Sequence, residues 1–469
     1  MNKKIAILVL LFSLLSCKKD VSYQVDSKTL EVNDFIWKAM NSYYLWKDEV
    51  PDLSDSRFKS QLELNNFLDG FNDSEAFFES LVYNRDQVDR WSWVVDDYEA
   101  LIRYFQGVRT TTGMRIGLVR EQAGSDNLFA YVKYVLPGSD AESKGIVRGN
   151  VFRKVDNQQL TVQNYKDLFN NDNLSIELAT WTGGTLTDTG TIVDLVKTQI
   201  NENPVYKTEV LHYAGKNIGY LMYNGFTGTY DRALNDAIGT LKSQGIDELV
   251  LDLRYNPGGS VATMQYLASM ITGQFTGQTL LNYQWNPQRQ IYMQNHYPSN
   301  LQRYFVNNMA DGTPINHLNL SKVYVIATGG SASASESLMN CLEPYVDVIH
   351  IGTPTHGKYT ASVTLFDSPD FSGRNVNPNH KWALQPIVLK VSNADGVTDF
   401  VNGLQPDIDF PEDYANMGVL GDVNEPLLNR ALQYIQNGSI YAARQSHRFE
   451  EIYYKPEAFY DEMYVDLKK

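Results

Sequence analysis

The chain has 469 residues, 43% of them hydrophobic, and carries a formal net charge of −15. That length suffices for two or three domains, each with its own core, and the acidic balance repels a phosphate backbone, which argues against nucleic acid as a partner. Its two cysteines, Cys17 and Cys341, are too few for a disulfide framework, so packing must hold the fold together.

Lys3 and Lys4 precede an apolar run from Ile5 to Leu15 that is too short to cross a bilayer, and residues 1–16 therefore read as a cleaved export signal. The run closes on Leu14-Leu15-Ser16-Cys17, which resembles the lipobox of bacterial lipoproteins. The resemblance implies that Cys17 is lipidated and becomes the new N-terminus, anchoring the protein in the bacterial cell envelope on the periplasmic or surface side. Residues 17–31 are polar and unpatterned and read as a tether. No later apolar run is long enough to span a membrane.

Residues 32–112 form a helical N-terminal domain by periodicity. Val32, Phe35, Ile36, Met40 and Tyr43 recur at helical spacing, and Pro51 lies beyond the end of that helix. A second helix is expected after Ser74 as N-cap, through Phe77, Phe78 and Leu81, and a third from Asp97 towards Phe105. Trp37, Trp46, Trp91 and Trp93 are assigned to its core.

Residues 113–200 change texture to short β runs, at Met114–Leu118, Phe129–Val132 and Val151–Val155. Between the last two lies Pro137-Gly138-Ser139-Asp140-Ala141, followed by Gly145-Ile146 and Arg148-Gly149-Asn150. This segment resembles the PDZ domain of bacterial proteases, with Asn150 and Asn157 standing where aspartate and glycine are usual. The resemblance implies that Arg115, Ile116, Gly117 and Leu118 form the loop that receives a peptide carboxylate, the peptide adding as a strand.

From residue 201 to 469 strands and helices alternate. Ile218–Tyr223, Leu249–Leu253, Val323–Ile326 and Val346–Ile351 read as strands, with helices marked by Leu234, Ile238 and Leu241, by Val261 to Ile271, and by Leu338 and Leu342. This order predicts an α/β core. Residues 275–320, rich in Gln, Asn and Tyr, read as an inserted excursion, and Leu427 to Ile435 as a closing helix.

Three stretches in this region carry chemistry. Gly329-Gly330-Ser331-Ala332-Ser333-Ala334-Ser335-Glu336 joins a strand to a helix, where unpaired N–H groups favour developing negative charge. Its composition does not choose among Ser331, Ser333 and Ser335. Gly357-Lys358 follows a buried strand, and a lysine amine removes a serine proton only if burial favours its neutral form. Asp252-Leu253-Arg254-Tyr255-Asn256-Pro257-Gly258-Gly259 is a second strand-to-turn element, whose glycines can aim N–H groups at a neighbouring site.

Together these resemble the hallmarks of the C-terminal processing peptidases, the S41 family of serine peptidases: a DLR-NPGG turn, a G-SASASE segment and a GK loop, in that order over roughly residues 113–412. The resemblance implies a crotonase-like or ClpP-like α/β fold preceded by a PDZ-like unit. It implies that the nucleophile is the middle serine and the base the lysine 25 positions on, which selects Ser333 and Lys358. Ala334 with Gly258 or Gly259 would hold the oxyanion. Many relatives place a glutamine four positions after the lysine; Ser362 stands there, so Ser362 or Thr360 is the expected orienting residue.

The expected function is endopeptidase hydrolysis of C-terminal tails or unfolded proteins, with polypeptides as substrates, no cofactor and no metal. The rival expectation is an inactive binding lipoprotein of the same fold, presenting peptides or lipophilic ligands. His350 and His356 are weaker base candidates, and Cys341 reads as core.

Overall fold

A computed structural model describes residues 27–182, 184–439, 450–452 and 463–465. The export signal and Cys17 lie outside the described residues. The helix expected from Val32 begins earlier, at Ser27, and runs to Tyr43, so the last residues assigned to the tether are helical. It buries Val32, Phe35, Ile36, Ala39 and Met40 against Leu64, Leu68, Phe77 and Phe78 of the next two helices, Gln61–Leu68 and Ser74–Ser80. The latter is capped by Asp73 and not by Ser74: Asp73 Oδ1 accepts from Glu75 N at 2.9 Å and Ala76 N at 3.1 Å. A carboxylate at that position suits the unpaired first-turn donors better than a hydroxyl one residue inside the helix. The third helix, expected from Asp97, is Tyr98–Phe105, with Asp97 as its cap.

The helical unit has no core of its own. Its apolar residues belong to the same buried cluster as Leu221, Leu251, Leu253, Val261, Met264 and Leu338 of the α/β region, which corrects the expectation of separate cores. Its helices turn their apolar faces onto the α/β region, so burial is gained across the junction and not within the unit.

The α/β region is built on a six-stranded sheet ordered Val205–Tyr213, Lys216–Tyr223, Glu248–Asp252, Lys322–Ala327, Asp347–Gly352, Ile408–Asp409, parallel throughout except for its first pair. Alternation along the strands divides the core. Leu221, Leu249, Leu251, Val323 and Val325 face helices Asp231–Ser243, Val261–Thr272 and Ala334–Leu342, while Tyr220, Met222, Val250, Tyr324 and Ile326 face helix Pro426–Asn437.

A second six-stranded sheet is ordered Gly259–Ser260, Met463–Tyr464, Thr360–Ser362, Ile387–Asn393, Thr279–Trp285, Gln302–Tyr304. Residues 275–320 are therefore not a simple excursion: Thr279–Trp285 lies inside this sheet with Leu280, Leu281, Tyr283 and Trp285 buried. The polar residues that suggested a loop, such as Gln284, sit on the exposed face of the strand.

Residues 113–200 form a β-rich unit whose sheet is ordered Glu451–Ile452, Met114–Arg120, Leu128–Val135, Val151–Val155, Asn173–Thr182, Thr185–Val196. Arg115, Ile116, Gly117 and Leu118 lie within the strand Met114–Arg120 and are not a loop. The strand pairs antiparallel with Leu128–Val135 along its length, with a register shift between Arg115 and Ile116, because this apolar run suits a strand.

Candidate active site

Two strands of the parallel sheet end side by side and hand over to the motif-bearing turns, the location where open α/β sheets bind ligands. Glu248–Asp252 leads into Leu253–Gly259, and Lys322–Ala327 leads into Thr328–Ser333. Asn256 ties the turns together. Its carbonyl accepts from Ala332 N at 3.1 Å and Ser335 Oγ at 2.9 Å, and its side chain bonds Tyr223 O and Gly258 N.

The structure distinguishes the three serines. Ser331 Oγ donates to Leu253 O at 2.8 Å and Ser335 Oγ to Asn256 O, so both hydroxyls are committed to holding the turns. Ser333 Oγ is buried and has no hydrogen-bond partner among the described residues. Ser333 also sits at φ +65°, ψ −113°, a region that L-residues rarely adopt and that costs on the order of 1–3 kcal/mol. The strain is balanced by contacts at both of its backbone groups: Ser333 N donates to Glu336 Oε2 at 2.7 Å and Ser333 O accepts from Ser337 N at 2.8 Å.

Gly258 and Gly259 are required for steric reasons. A Cβ on Gly258, at φ +113°, would lie 2.7 Å from Ser333 Cβ, and one on Gly259, at φ +136°, would lie 2.3 Å from Phe226 O. The two glycines differ as donors. Gly258 N–H is spent on Asn256 Oδ1 at 3.0 Å, which corrects its place among the oxyanion donors. Phe226 N donates to Gly258 O and Ser260 N to Phe226 O, so the trans peptide planes turn Gly259 N–H towards the opposite edge. Ala334 N–H, at the first position of its helix, has no intrahelical acceptor.

Lys358 is fully buried, with Nζ 5.8 Å from the centre of the Trp91 ring. Its backbone N donates to Glu336 Oε2 at 2.9 Å, the same oxygen that binds Ser333 N. Glu336 Oε1 accepts from Gly357 N at 2.6 Å and Thr355 Oγ1 at 2.5 Å. Burial pushes the Glu336 carboxyl up to about 7, against the four hydrogen bonds, which favour its ionised form. Thr360 Oγ1 is buried without a hydrogen-bond partner, whereas Ser362 Oγ donates to Met463 O at 3.1 Å and accepts from Gln385 Nε2 at 2.9 Å.

Sequence reasoning missed Glu336, Asn256 and Trp91 as parts of this site. The signal for Glu336 was present, since an acidic residue three positions after a serine at a helix start is a capping pattern. Trp91 offered none, because its place depends on how the helical unit docks.

Beneath the site Arg254, wholly buried, donates to Asp252 and to both oxygens of Glu425, at 2.6 and 2.9 Å, joining the DLR turn to the cap of helix Pro426–Asn437. Arg115 is occupied by its ion pair with Glu202. His350 Nε2 lies 3.1 Å from Ala327 O, and burial holds its imidazole below the ordinary value. Cys341 is buried, with its thiol pushed up by desolvation. No cluster of His, Cys, Asp or Glu suited to a metal occurs among the described residues, and none of their helices is long and apolar enough to cross a membrane.

Fold and site together define an α/β protein with a strained serine at a strand-to-helix junction and a buried lysine registered to it through one carboxylate. Residues 217–410 match the model of peptidase family S41 and residues 31–93 that of the peptidase S41 N-terminal domain, more than half of the chain between them. The chain belongs to peptidase family S41.

It is 28% identical over 236 residues to a carboxyl-terminal-processing protease of Picosynechococcus sp., across 50% of this chain and 49% of that one. It is 26% identical over 279 residues to the chloroplastic carboxyl-terminal-processing peptidase 2 of Arabidopsis thaliana, across 57% and 49%. The chain thus spans about half the length of the curated relatives it matches. The crystal structure of a Bacteroides fragilis protein described as an S41 protease superimposes with a TM-score of 0.66 at 26% identity, covering 86% of this chain and 97% of that one. The photosystem II D1 C-terminal processing protease shares the fold, with a TM-score of 0.50 at 19% identity over 88% of this chain and 98% of that one.

Proposed function

We propose that this chain is a serine endopeptidase in which Ser333 is the nucleophile and Lys358 the general base. Ser333 Oγ attacks the scissile carbonyl while the Lys358 amine takes its proton and passes it to the leaving nitrogen. The acyl-enzyme then yields to water by the same route. Ala334 and Gly259 N–H stabilise the oxyanion, a contribution of about 3 kcal/mol for each donor. One observation carries the reading: of three adjacent serines two have structural hydrogen bonds, and the third is strained, unpartnered and pinned to the same carboxylate oxygen as the lysine.

The substrates are extended polypeptides, either C-terminal tails or unfolded proteins, a class supported by the carboxyl-terminal-processing relatives. In this reading the β-rich unit is a PDZ-like module that takes peptides on the strand Met114–Arg120. Of the two expected orienting residues Ser362 takes that role, since Thr360 Oγ1 is buried without a hydrogen-bond partner among the described residues, and Cys17, outside them, carries the lipid that holds the protein in the cell envelope. The test is labelling by a fluorophosphonate probe followed by mass spectrometry. The label is expected on Ser333 and absent from Ser333→Ala. A protein that binds peptides but takes no label would be the inactive binding lipoprotein instead.

A further inference from the structure

Ser333 and Lys358 are both wholly buried, so a polypeptide cannot reach them in the state seen. What lies beside them is a piece of the same chain. Met463–Tyr464 is a parallel strand between Gly259–Ser260 on one side and Thr360–Ser362 on the other, pairing Met463 with Gly259 and Tyr464 with both Ser260 and Ser362. It runs along the edge towards which Gly259 N–H is turned. Val465 N donates to Ser362 O at 3.0 Å, Ser362 Oγ donates to Met463 O, and Ser337 Oγ, one helical turn beyond Ser333, lies 3.3 Å from Met463 Sδ.

Two cavities end on this strand. Tyr464 lines a small one together with Phe105, Gly258 and Gly259, and its ring lies 4.4 Å from that of Phe105. Val465 lines a cavity of about 750 Å³ whose walls include Tyr266, Tyr283, Tyr292, Arg303 and Tyr304. Consecutive residues thus separate two hollows, one beside the oxyanion turn and one rich in aromatic and arginine side chains. A second short stretch does the same on the β-rich unit. Glu451 and Ile452 add antiparallel to Val119 and Leu118 on the edge of the strand Met114–Arg120, Arg120 N donates to Glu450 O at 2.9 Å, and Ile452 packs on the cluster of Leu118, Leu168 and Phe169.

We infer that Glu450–Ile452 and Met463–Val465 stand in for substrate polypeptide, and that the structure is a self-occupied state of the protein. The inference rests on the proposed peptidase reading and names its substrate track: an extended chain bound by main-chain hydrogen bonds between Gly259–Ser260 and Thr360–Ser362 and continuing into the larger cavity. Strand addition of this kind is largely independent of sequence, as a site for unfolded chains requires. A tethered occupant competes at a high effective concentration, and a substrate chain must displace it.

The test compares the full chain carrying Ser333→Ala with the full chain carrying Ser333→Ala, Met463→Asp and Val465→Asp. The probe is a fluorescein-labelled peptide with the sequence of residues 454–465, and anisotropy reads its binding. Placing two charges at buried positions disables the resident strand, and the peptide is expected to bind about tenfold tighter or more. Equal affinity in the two proteins would overturn the inference, as would a large fall in melting temperature, which would mark a permanent strand. Hydrogen exchange on the unmodified protein gives an independent reading. The Val465 amide is expected to exchange far faster than that of Val325 in the central sheet, and equal protection would overturn the inference. None of these measurements needs catalysis. Tighter peptide binding without fluorophosphonate labelling of any Ser333-containing form would therefore remove the peptidase reading alone.

Discussion

The backbone amides of Ser333 and Lys358 bind one and the same oxygen, Glu336 Oε2, at 2.7 and 2.9 Å. The two nitrogens are therefore no farther apart than the sum of those contacts, although the residues belong to different loops. The proposed nucleophile and base are registered through a carboxylate that reaches back from the serine helix, and its geometry governs theirs.

Glu336→Gln keeps the shape but offers two of the four donors an amide NH2 in place of an oxygen. Displacement of either loop by about 1 Å is expected to cost on the order of 100-fold in kcat, with KM little changed, as read by steady-state peptide hydrolysis. Unaltered kcat would show that the registration is incidental.

The same residue gives stability a pH dependence. The folded protein raises the Glu336 carboxyl from its ordinary 4.5 to about 7, so the native state binds this proton more tightly than the unfolded chain. Its contribution is fully present below the unfolded value and is lost as pH rises through the folded one. Between about pH 5 and about pH 8 the wild type should lose on the order of 3 kcal/mol relative to Glu336→Gln, measured by urea unfolding of both proteins. Parallel pH profiles would show that burial does not raise this group.

The serines should separate by phenotype. Ser331→Ala and Ser335→Ala each remove one hydrogen bond from a buried carbonyl that keeps a second donor, Asn256 N on Leu253 O and Ala332 N on Asn256 O, and are expected to cost about 0.5–1.5 kcal/mol in denaturant unfolding while Ser333 still takes the probe. Ser333→Ala breaks no side-chain hydrogen bond and should change stability by less than about 0.5 kcal/mol while abolishing labelling. Labelling that survives Ser333→Ala would assign the nucleophile elsewhere.

Gly258→Ala forces a Cβ to within 2.7 Å of Ser333 Cβ and 3.0 Å of Ala334 N. Turnover should fall by at least about 100-fold, because the clash lies on the proposed nucleophile and the proposed oxyanion turn together. Gly277→Ala, at φ +86° with nothing within 4 Å of its Cβ, is the control for backbone strain alone and should leave turnover intact. Equal losses in the two variants would trace the effect to folding.

Arg254→Met removes the cation between Asp252 and Glu425, all three buried. Asp252 then keeps only Tyr220 Oη among side-chain partners, and Glu425 keeps Leu428 N and the Arg148 guanidinium at 3.6 Å, so the loss of the central cation is expected to cost about 3 kcal/mol, read as a lower urea midpoint. A stability unchanged by this substitution would mean that water enters the network.

Local chemistry made much of this protein legible in its sequence. Apolar periodicity located the first helix from Val32 onward, though not its start at Ser27, and the elements Glu248–Asp252, Lys322–Ala327 and Pro426–Asn437, because a strand or helix buried on a defined face leaves a period in the chain. The glycines of the DLR turn and the serines before Ala334 marked the strand-to-helix junctions for the same reason. Thr279–Trp285 escaped notice because Asn282 and Gln284 give it the polarity of a loop, and only its neighbours Ile387–Asn393 and Gln302–Tyr304 make it a strand.

Residue order alone places the right residue types at the two motif-bearing turns, Leu253–Gly259 and Thr328–Ser333, since turn geometry and helix capping act over a few residues. Tertiary structure alone decided which serine keeps an unpartnered hydroxyl, which glycine keeps its N–H and which carboxylate holds the lysine loop. Those outcomes depend on hydrogen-bond partners such as Leu253, Asn256 and Glu336, brought into contact by packing across distances in the chain that local preference does not span.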